Sequence, residues 1–425
     1  MLDIRLIRER PEFVKTELQK VGFDPAGIEA VLAVDGRRRG LIQEVESLRA
    51  HRGEVSRTIG KHDPAAREQL VADMRGVGER IGRLEQELAA VEADYQAQML
   101  AIPNLPDPTV PVGADDGANT VLRSIGEPRS FAFTPRPHWE LGVDLGILDF
   151  ERGVKIAGSR FYVLTGLGAR LQRALVTWML DLHVNHHGYT EVYPPYLVKQ
   201  ECLYGAGQLP KFADNIYHDV EDDLWMIGTA EIPVTNLHRD EILEPGALPR
   251  SYVAYTACFR REKMSAGRDV RGIKRGHQFD KVEMYKLVAP EDSPAALEEI
   301  VAGAEAVARG LGIPHRVITI CTGDLGFVAA KKYDVELWAP GCGEWLEVSS
   351  CSNCTDFQAR RTNIRFRRAP GGKPEFVHTL NGSGLALPRV LIAVLENYQQ
   401  DDGSVVVPDV LRPYMGGVDR LRPPR

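Results

Sequence analysis

A strongly cationic stretch lies between two apolar segments of this chain. Residues 258–283, CFRREKMSAGRDVRGIKRGHQFDKVE, contain eight Lys or Arg and four Asp or Glu. Arg260 keeps its charge at any accessible pH, and its planar guanidinium can bind a phosphate through two hydrogen bonds. In a strand, Glu262 would share a face with Arg260, because alternate residues point the same way. The stretch predicts either a solvated hairpin tip or a site for a polyanion.

The residues beyond this loop add other groups that a nucleotide needs. Phe279 offers a flat surface on which a base could stack, and Glu283 follows four residues later on the same face of the predicted strand. Glu347 and Ser350 supply the hard oxygen ligands that Mg²⁺ prefers. Arg389 lies near the start of a predicted helix, after a glycine-rich turn. Together these groups describe a nucleoside triphosphate held by two arginines, an aromatic ring and a metal ion.

The composition is that of a soluble globular protein. The chain has 425 residues, of which 44% are hydrophobic and 26% charged, and this length suggests two or three domains. A net charge of −7 argues against wholesale coating of nucleic acid but allows local basic patches. The charged N-terminus lacks the apolar core of a signal peptide, and no segment approaches a membrane span. With only six cysteines, we expect a reduced, cytosolic protein.

The first hundred residues have the pattern of a long helical hairpin. Over residues 70–95 the apolar positions recur at alternating intervals of four and three, which is a heptad seam, and residues 31–59 show a looser version. The turn GKHDP at 60–64 separates them, and Asp63 can cap the second helix. Arms of about 30 residues, roughly 45 Å long, must run antiparallel and project from the protein.

Many cations lie on the outer faces of this hairpin. As ordinary helix-surface charges they would pair with the neighbouring glutamates. As a set on a projecting hairpin they would contact phosphates, and the sequence leaves both readings open. The cations are Arg37, Arg38, Arg39, Arg49, His51, Arg52, Arg57, Lys61, Arg67, Arg75, Arg80 and Arg83.

The sequence pattern changes after the hairpin. We divide it into a hairpin domain at 1–102, a linker at 103–120 that is rich in Pro, Gly and Asp, and a second domain at 121–425. In the second domain several predicted strands follow one another without helices, which favours an α+β fold with an antiparallel sheet and flanking helices. The predicted strands include 159–166, 224–234, 250–259 and 280–288, and a helix is predicted at 169–188.

Three short motifs are too incomplete to predict a site. The glycines of TGLGAR at 165–170 lack the third member of a dinucleotide-binding fingerprint. His183 and His187 have the spacing of zinc-protease ligands, but the glutamate that this chemistry requires is absent. Cys351 and Cys354 have zinc-ligand spacing without a second pair, and we expect reduced structural cysteines there.

Several segments, in order along the chain, resemble the class II aminoacyl-tRNA synthetases. GYTEVYPPYLV at 188–198 resembles their motif 1, residues 258–283 resemble motif 2, and NGSGLALPRVLIAVLENYQ at 381–399 resembles motif 3. Within that class, GTAEIPVTN, HQFDKVE, EVSSCSNCTDFQARR and HTLNGSGLA are similar to the bacterial-type seryl-tRNA synthetases. The match extends over essentially the whole chain and implies a class II catalytic core with an N-terminal coiled-coil arm.

The resemblance also implies an activity and its participants. It implies ATP-dependent activation of L-serine, transfer of the seryl group to tRNA(Ser), and a homodimer that binds tRNA across its subunits. Whether tRNA(Sec) is also charged stays open. The catalytic residues would be Arg260, Glu347 and Arg389, with Glu347 and Ser350 holding Mg²⁺. The ATP site would comprise Arg260, Arg261, Glu262, Gly276, Phe279, Glu347, Val348, Ser349, Ser350 and Arg389. The serine pocket would comprise Thr229, Ala230, Glu231, Arg260, Glu283, Asn381 and Ser383. The loop from Ser265 to Lys274 would touch the acceptor stem.

Three alternatives remain at this stage. A paralogue could load a small amino acid onto a carrier protein, although such an enzyme has no use for a full-length hairpin. A non-catalytic RNA-binding or coiled-coil protein would be expected to lose Arg260, Glu283, Glu347 or Arg389, and all four are present. The hairpin itself could be a dimerisation element. The sequence also leaves open whether Glu231 or Glu283 binds the serine hydroxyl.

Overall fold

The structure is a computed structural model that describes residues 1–263 and 271–424. The chain divides into two compact units, Met1–Pro103 and Asn104–Arg425. No helix among the described residues has both the length and the apolar character that crossing a bilayer requires.

The first unit is a helical hairpin on a short helical base. Its helices are α1 (Ile4–Glu9), α2 (Pro11–Lys20), α3 (Ala26–Thr58) and α4 (Pro64–Ala101). The ion pairs Arg38–Glu92 and Arg80–Glu44 show that α3 and α4 run antiparallel. The Asp63 carboxylate accepts a hydrogen bond from the Ala66 amide at 2.9 Å. The long hairpin and its cap are thus as predicted, with arms of 33 and 38 residues.

The seam between the two arms is built from the predicted apolar positions. A side chain at every third or fourth position lies on one face of a helix, so this spacing buries one stripe of each arm. The buried residues at predicted seam positions are Val31, Leu41 and Val45 from α3, and Ile81 and Val91 from α4.

The second unit is built on an eight-stranded sheet with flanking helices. Its helices are α5 (His138–Asp144), α6 (Phe150–Ala157), α7 (Gly166–His187), α8 (Gln200–Ala206), α9 (Glu231–Thr235), α10 (Ser293–Gly310), α11 (Phe357–Thr362) and α12 (Leu387–Asn397). Its strands are β1 (Thr120–Ile125), β2 (Leu148–Asp149), β3 (Val163–Leu164), β4 (Thr190–Glu191), β5 (Leu197–Lys199), β6 (His218–Asp219), β7 (Leu224–Met226), β8 (Ile242–Leu243), β9 (Arg250–Phe259), β10 (Gln278–Val288), β11 (His315–Thr319), β12 (Lys331–Ala339), β13 (Glu344–Asn353), β14 (Arg365–Phe366), β15 (Glu375–Phe376), β16 (His378–Ala386), β17 (Val405–Val406) and β18 (Arg420–Leu421).

The order of strands in the large sheet is β1-β11-β12-β13-β16-β10-β9-β4. Neighbouring strands are antiparallel except β4, which runs parallel to β9. Helices α7, α10 and α12 pack against this sheet, and their apolar faces form one core with β10, β12, β13 and β16. This confirms the predicted α+β fold with an antiparallel sheet and flanking helices.

Three local predictions in this unit are wrong. The strand predicted at 224–234 ends at Met226, and α9 begins at Glu231. Only Val163–Leu164 of the strand predicted at 159–166 forms. The glycine-rich turn predicted before Arg389 is instead the end of β16. Small residues let this strand lie close to its neighbours, since a Cβ on Gly382 would come within 2.4 Å of the Ile300 side chain.

The helix predicted at 169–188 is α7, and Gly188 ends it with a left-handed backbone, φ 71°.

The segment that precedes β1 contains no α-helix or strand in this structure. Asn104 anchors its start, since its buried amide nitrogen donates to the carbonyls of Val328 and Cys354 at 2.9 Å each. The segment 103–120, which we predict to be a linker, therefore begins with a specific attachment to the second unit.

Candidate active site

A cleft of about 440 Å³ opens beside β10, β13 and β16 of the large sheet. Many of the residues that line it are polar or charged, which suits the binding of a polar ligand. The predicted site residues that line it are Thr229, Glu231, Arg260, Glu262, Gly276, Phe279, Glu283, Glu347, Val348, Ser350, Asn381, Ser383 and Arg389.

Three predicted site residues do not line this cleft in the described part of the chain. Ala230 is fully buried in an apolar cluster beneath α9. The Arg261 guanidinium lies 4.6 Å from the centre of the Tyr217 ring and donates to the Ile216 carbonyl. The Ser349 hydroxyl points away from the cleft and donates to a backbone carbonyl at 2.6 Å.

A buried carboxylate, Glu283, lies at one end of the cleft. Its Oε1 accepts a hydrogen bond from the Asn381 amide at 3.1 Å, and its Oε2 accepts one from the Ser383 hydroxyl at 3.4 Å. The antiparallel register explains this arrangement, because Glu283 of β10 pairs directly with Ser383 of β16. The Glu283 side chain is only 1% exposed, so these donors replace the water that an ionised carboxylate would otherwise hold.

Lys281 supplies a positive charge to this end of the cleft, and our sequence analysis did not include it. Its ammonium lies 2.5 Å from Glu283 Oε2 and donates to the Thr229 hydroxyl at 2.7 Å. Phe279, Lys281 and Glu283 are alternate residues of β10 and all line the cleft. The period of two that predicts a shared face for Phe279 and Glu283 therefore also predicts Lys281.

Glu231 is the second carboxylate of this pocket and lies at the start of α9. Burial and the nearby Glu283 raise its pKa, Lys281, Gln358 and Arg260 lower it, and the net result is a pKa of about 7. Glu231 therefore changes charge near neutral pH. The ammonium of Lys281 favours the ionised form of Glu231. A ligand that carries its own ammonium would favour this form further.

Arg260 and Glu262 are not in a strand, contrary to our prediction. Strand β9 ends at Phe259, and Glu262 has a left-handed backbone, φ 51°. The chain therefore turns as it leaves β9 and enters the cationic stretch. Arg260 still reaches the cleft: its guanidinium lies 5.2 Å from the centre of the Phe279 ring and donates to the Gly228 carbonyl.

A β-bulge brings Glu347 and Ser350 to the same side of β13. They are three positions apart, so in a regular strand they would point to opposite faces. The pairing of β12 with β13 skips Val348, since Val335 pairs with Ser349 and Glu336 with Glu347. The extra residue reverses the alternation, and both side chains line the cleft.

Arg389 connects α12 to this bulged part of β13. One of its terminal nitrogens donates to the Glu347 carbonyl oxygen at 2.5 Å and lies 3.4 Å from Glu347 Oε2. Desolvation opposes ionisation of the Glu347 carboxyl, but the positive charges of Arg389, Lys332 and Arg260 outweigh it and lower its pKa. The Glu347 carboxyl is therefore ionised at neutral pH.

The oxygen donors at this end of the cleft fit a divalent cation such as Mg²⁺. The Glu347 side chain is 46% exposed, so its carboxylate is accessible to a ligand in the cleft. Ser350 adds a hydroxyl oxygen that lines the same cleft. Hard cations prefer such an all-oxygen set.

Two family models match the chain. Residues 212–398 match the tRNA synthetase class II core domain (G, H, P, S and T), and residues 1–106 match the seryl-tRNA synthetase N-terminal domain. The serine–tRNA ligase of Roseiflexus sp. (strain RS-1) is 64% identical over 423 residues, which cover 99% of this chain and 100% of that protein. The chain belongs to the seryl-tRNA synthetase family.

Solved structures of seryl-tRNA synthetases agree with this assignment. The enzyme from Pyrococcus horikoshii complexed with ATP is 40% identical, with a TM-score of 0.93 and full coverage of both chains. The cytoplasmic serine–tRNA ligase from Naegleria fowleri in complex with AMP is 32% identical, with a TM-score of 0.87 over 100% of this chain and 99% of that one.

Family membership confirms the resemblance on which the motif assignments rest. Motif 2 corresponds to β9, the cationic loop and β10, and motif 3 corresponds to β16 and α12. The acceptor-stem contact that we predict at Ser265–Lys274 lies mostly outside the described residues, which resume at Arg271. Lys274 is described, and its ammonium pairs with Glu344 at 2.8 Å.

Proposed function

We propose that this cleft binds ATP and L-serine side by side and carries out both steps of the family's reaction. The chain activates serine with ATP and charges tRNA(Ser), as its relatives' name of serine–tRNA ligase indicates. The observation that carries the assignment of the cleft is the buried Glu283, which Lys281, Asn381 and Ser383 hold at one end of a cavity otherwise lined by Arg260 and other nucleotide-binding groups.

The polar end of the cleft has the chemistry of a serine pocket. Serine has a hydroxyl and an ammonium, and the carboxylates of Glu231 and Glu283 offer matching acceptors within the same small space. The Thr229 hydroxyl already accepts from Lys281 and from the Glu231 amide, so it has its O–H left to donate. Alanine would leave these buried groups without partners, and rejection by roughly 10⁴-fold is typical of such sites. Threonine must instead be rejected by shape, because it carries the same polar groups.

The rest of the cleft suits ATP. We propose that Phe279 stacks on the adenine, that Arg389 packs on its other face or contacts the γ-phosphate, and that Arg260 bridges the α-phosphate and the serine carboxylate. Glu347 and Ser350 would hold Mg²⁺. When bound, this ion would neutralise charge on the phosphates of ATP.

Positioning and charge neutralisation are sufficient for the first step. A serine carboxylate oxygen attacks the α-phosphorus in line, the bond to the bridging oxygen breaks, and pyrophosphate leaves with its electron pair. Arg260 and Arg389 would stabilise the charge that develops on the phosphates. In the second step a ribose hydroxyl at the 3′ end of tRNA attacks the seryl carbonyl, and AMP leaves. No side-chain nucleophile is required.

For the whole chain we propose the domain roles that the sequence predicts. The hairpin at 1–102 would bind tRNA, residues 103–120 would link it to the catalytic domain at 121–425, and two chains would form a homodimer with tRNA bound across the subunits in the cytoplasm. Charging of tRNA(Sec) is a further proposal. The M. kandleri SerRS, which is only 17% identical, was crystallised in complex with A. aeolicus tRNA(Sec); this supports testing this tRNA but shows only the fold for this chain.

ATP–pyrophosphate exchange without tRNA tests the assignment of the cleft. The protein is assayed with serine, threonine, alanine, glycine and cysteine separately, and we expect exchange with serine alone. Glu283→Ala should abolish it, whereas Glu298→Gln, at an exposed position of α10, should not change it. Exchange with another amino acid would contradict the serine pocket, and unchanged exchange in Glu283→Ala would contradict its location.

A further inference from the structure

A buried glutamine that no motif assigned lies directly behind the serine pocket. Gln358 belongs to α11 and is completely inaccessible to solvent. Its amide nitrogen donates to Glu231 Oε1 at 2.6 Å and to the Ala206 carbonyl oxygen, at the end of α8, at 3.1 Å. Gln358 itself does not line the cleft. Among the described residues, Glu231 is the cleft-lining partner to which Gln358 hydrogen-bonds.

The orientation of this amide is fixed by its surroundings. Its oxygen accepts hydrogen bonds from the Thr379 hydroxyl at 2.7 Å and the Tyr285 hydroxyl at 3.2 Å. The two hydroxyls could also accept, but the Ala206 carbonyl cannot donate, so the NH₂ group must face Ala206. The same NH₂ group then faces Glu231, where it can donate and never accept.

Glu231 is held by further contacts that leave one of its oxygens for a ligand. The Thr235 hydroxyl donates to the Glu231 carbonyl at 2.6 Å, and the Glu231 amide donates to the Thr229 hydroxyl at 3.2 Å. Oε1 is engaged by Gln358. Oε2 is thus the oxygen on which a substrate donor can act.

We propose that Gln358 is a positioning residue for serine: its fixed N–H group orients Glu231 and favours the ionised, hydrogen-bond-accepting form of that carboxylate. This inference rests on the proposed role of Glu231 in the serine pocket. A neutral Glu231 could turn its own O–H toward the substrate. The pocket would then have one hydrogen-bond acceptor fewer for the serine hydroxyl or ammonium, and it would select serine less strongly over other amino acids.

The charges around Glu231 make this contribution measurable near neutral pH. Burial and Glu283 raise the pKa of Glu231, whereas Lys281, Gln358 and Arg260 lower it, with a result of about 7. The other titratable neighbours are the Tyr285 phenol and the Cys354 thiol, and burial raises the pKa of both well above neutrality, so both stay uncharged. Loss of the Gln358 donor should therefore raise the pKa of Glu231.

Kinetics of ATP–pyrophosphate exchange between pH 6 and 9 test the proposal in the full-length protein. For Gln358→Met we expect the serine KM to rise roughly tenfold or more at pH 7, with the ATP KM and kcat little changed. The acidic limb of kcat/KM for serine should move to higher pH, because Glu231 must still lose its proton. The matched control is Gln399→Met, an equally buried glutamine that bonds Arg136 and Glu396 outside the cleft.

A double-mutant cycle with Glu231→Gln separates positioning from general damage. If Gln358 acts through Glu231, adding Gln358→Met to Glu231→Gln should change the serine KM by less than about twofold. Additive effects, an equal rise of the ATP KM, or an unmoved acidic limb would overturn the proposal. If Gln358→Met does not fold, Gln358→Asn keeps an amide but is one methylene shorter, so it withdraws the N–H group from Glu231 and should give the same non-additive rise.

The experiment also distinguishes the two levels of inference. An unchanged serine KM in Glu231→Gln alone would remove Glu231 from the serine pocket and so contradict the proposed site. A raised KM in Glu231→Gln with a normal KM and pH profile in Gln358→Met would leave the site intact and overturn only the role of Gln358.

Discussion

The proposed serine pocket contains two carboxylates, Glu231 and Glu283, but one ammonium, that of Lys281. This ammonium pairs with Glu283 and bonds Thr229, and it lowers the pKa of Glu231. Lys281→Met should therefore leave two buried carboxylates in mutual repulsion and favour protonation of Glu231. We expect the serine KM in pyrophosphate exchange at pH 7 to rise about tenfold to 100-fold, with partial recovery at pH 9 where Glu231 ionises again.

The chain provides a matched control for Lys281. Lys286 is on the same strand and equally buried, but it pairs with Glu299 and does not line the cleft. Lys286→Met should cost stability without raising the serine KM. If both variants raise the KM equally, the effect comes from β10 as a whole and not from the charge balance of the pocket.

At the scale of residues, the sequence predicted the members of the site better than their geometry. Glu283 and Ser383 were predicted from motif resemblance, and the strand register explains why they meet. The bulge at Val348 decides that Glu347 and Ser350 share a face, and no propensity in EVSS indicates it. Gln358 could not be predicted from the sequence for another reason: its hydrogen-bond partners come from segments up to 152 residues away in the chain.

At the scale of elements, the C-terminal end of α12 holds a buried network that also fixes one end of the cationic loop. The Glu396 carboxylate accepts five hydrogen bonds, from the backbone and ring of His138, from the backbone and thiol of Cys342, and from the Gly341 amide. The other ring nitrogen of His138 accepts from the Ile273 amide at 3.2 Å, so Nδ1 carries the proton.

Replacing Glu396 should therefore destabilise the protein. Burial opposes its ionisation, but the hydrogen bonds from His138 and Cys342 outweigh burial and lower its pKa. We expect Glu396→Gln to lower the free energy of unfolding by about 2–4 kcal/mol at pH 7, because an NH₂ group would face N–H donors. A lowered pKa stabilises the fold above the unfolded value, about 4.3, and this stabilisation is lost as the pH falls through the folded value.

Chemical denaturation at pH 7 and at pH 4 would check this prediction. The difference between wild type and Glu396→Gln should be largest at pH 7 and should narrow at pH 4. Glu298→Gln, at the exposed position of α10 used above, should differ little from wild type at either pH. A difference that grows toward acid would contradict the assignment of an ionised Glu396.

The cations of the hairpin arms fall into two groups. Six of the twelve form ion pairs with acidic residues of the hairpin, as ordinary surface charges would: Arg37, Arg38, Arg39, Arg49, Arg75 and Arg80. The other six, most of which lie toward the tip, form no such pair within the described part of the chain: His51, Arg52, Arg57, Lys61, Arg67 and Arg83. The surface-charge reading therefore holds for the first group, and contact with phosphates stays a prediction for the second.

This division predicts which arginines contribute to tRNA binding. Arg52→Gln should raise the tRNA KM in aminoacylation by about threefold to tenfold and flatten its dependence on salt, because an unpaired cation can replace counterions on phosphate. Arg37→Gln removes a cation that Glu87 already pairs and should have less effect. Equal effects of the two variants would show that pairing within the hairpin does not decide the contact.

At the scale of the whole molecule, the class of fold and the hairpin were predictable because they depend on patterns that repeat. A heptad seam and a run of consecutive strands each span many residues, so single errors do not change the result. The errors fell on short segments, such as 159–166 and 224–234, where packing against the rest of the domain overrides local preference.

The two-unit organisation leads to a final prediction about the role of the hairpin. The second unit, Asn104–Arg425, has its own sheet, core and cleft. Replacing residues 31–97 by a short flexible linker should therefore leave serine-dependent pyrophosphate exchange intact. Charging of tRNA should fall by about 100-fold or more, because the phosphate contacts of the hairpin are lost. Sedimentation should show an unchanged dimer. Monomers, in contrast, would show that the hairpin is a dimerisation element, and normal charging would show that the catalytic unit alone binds tRNA.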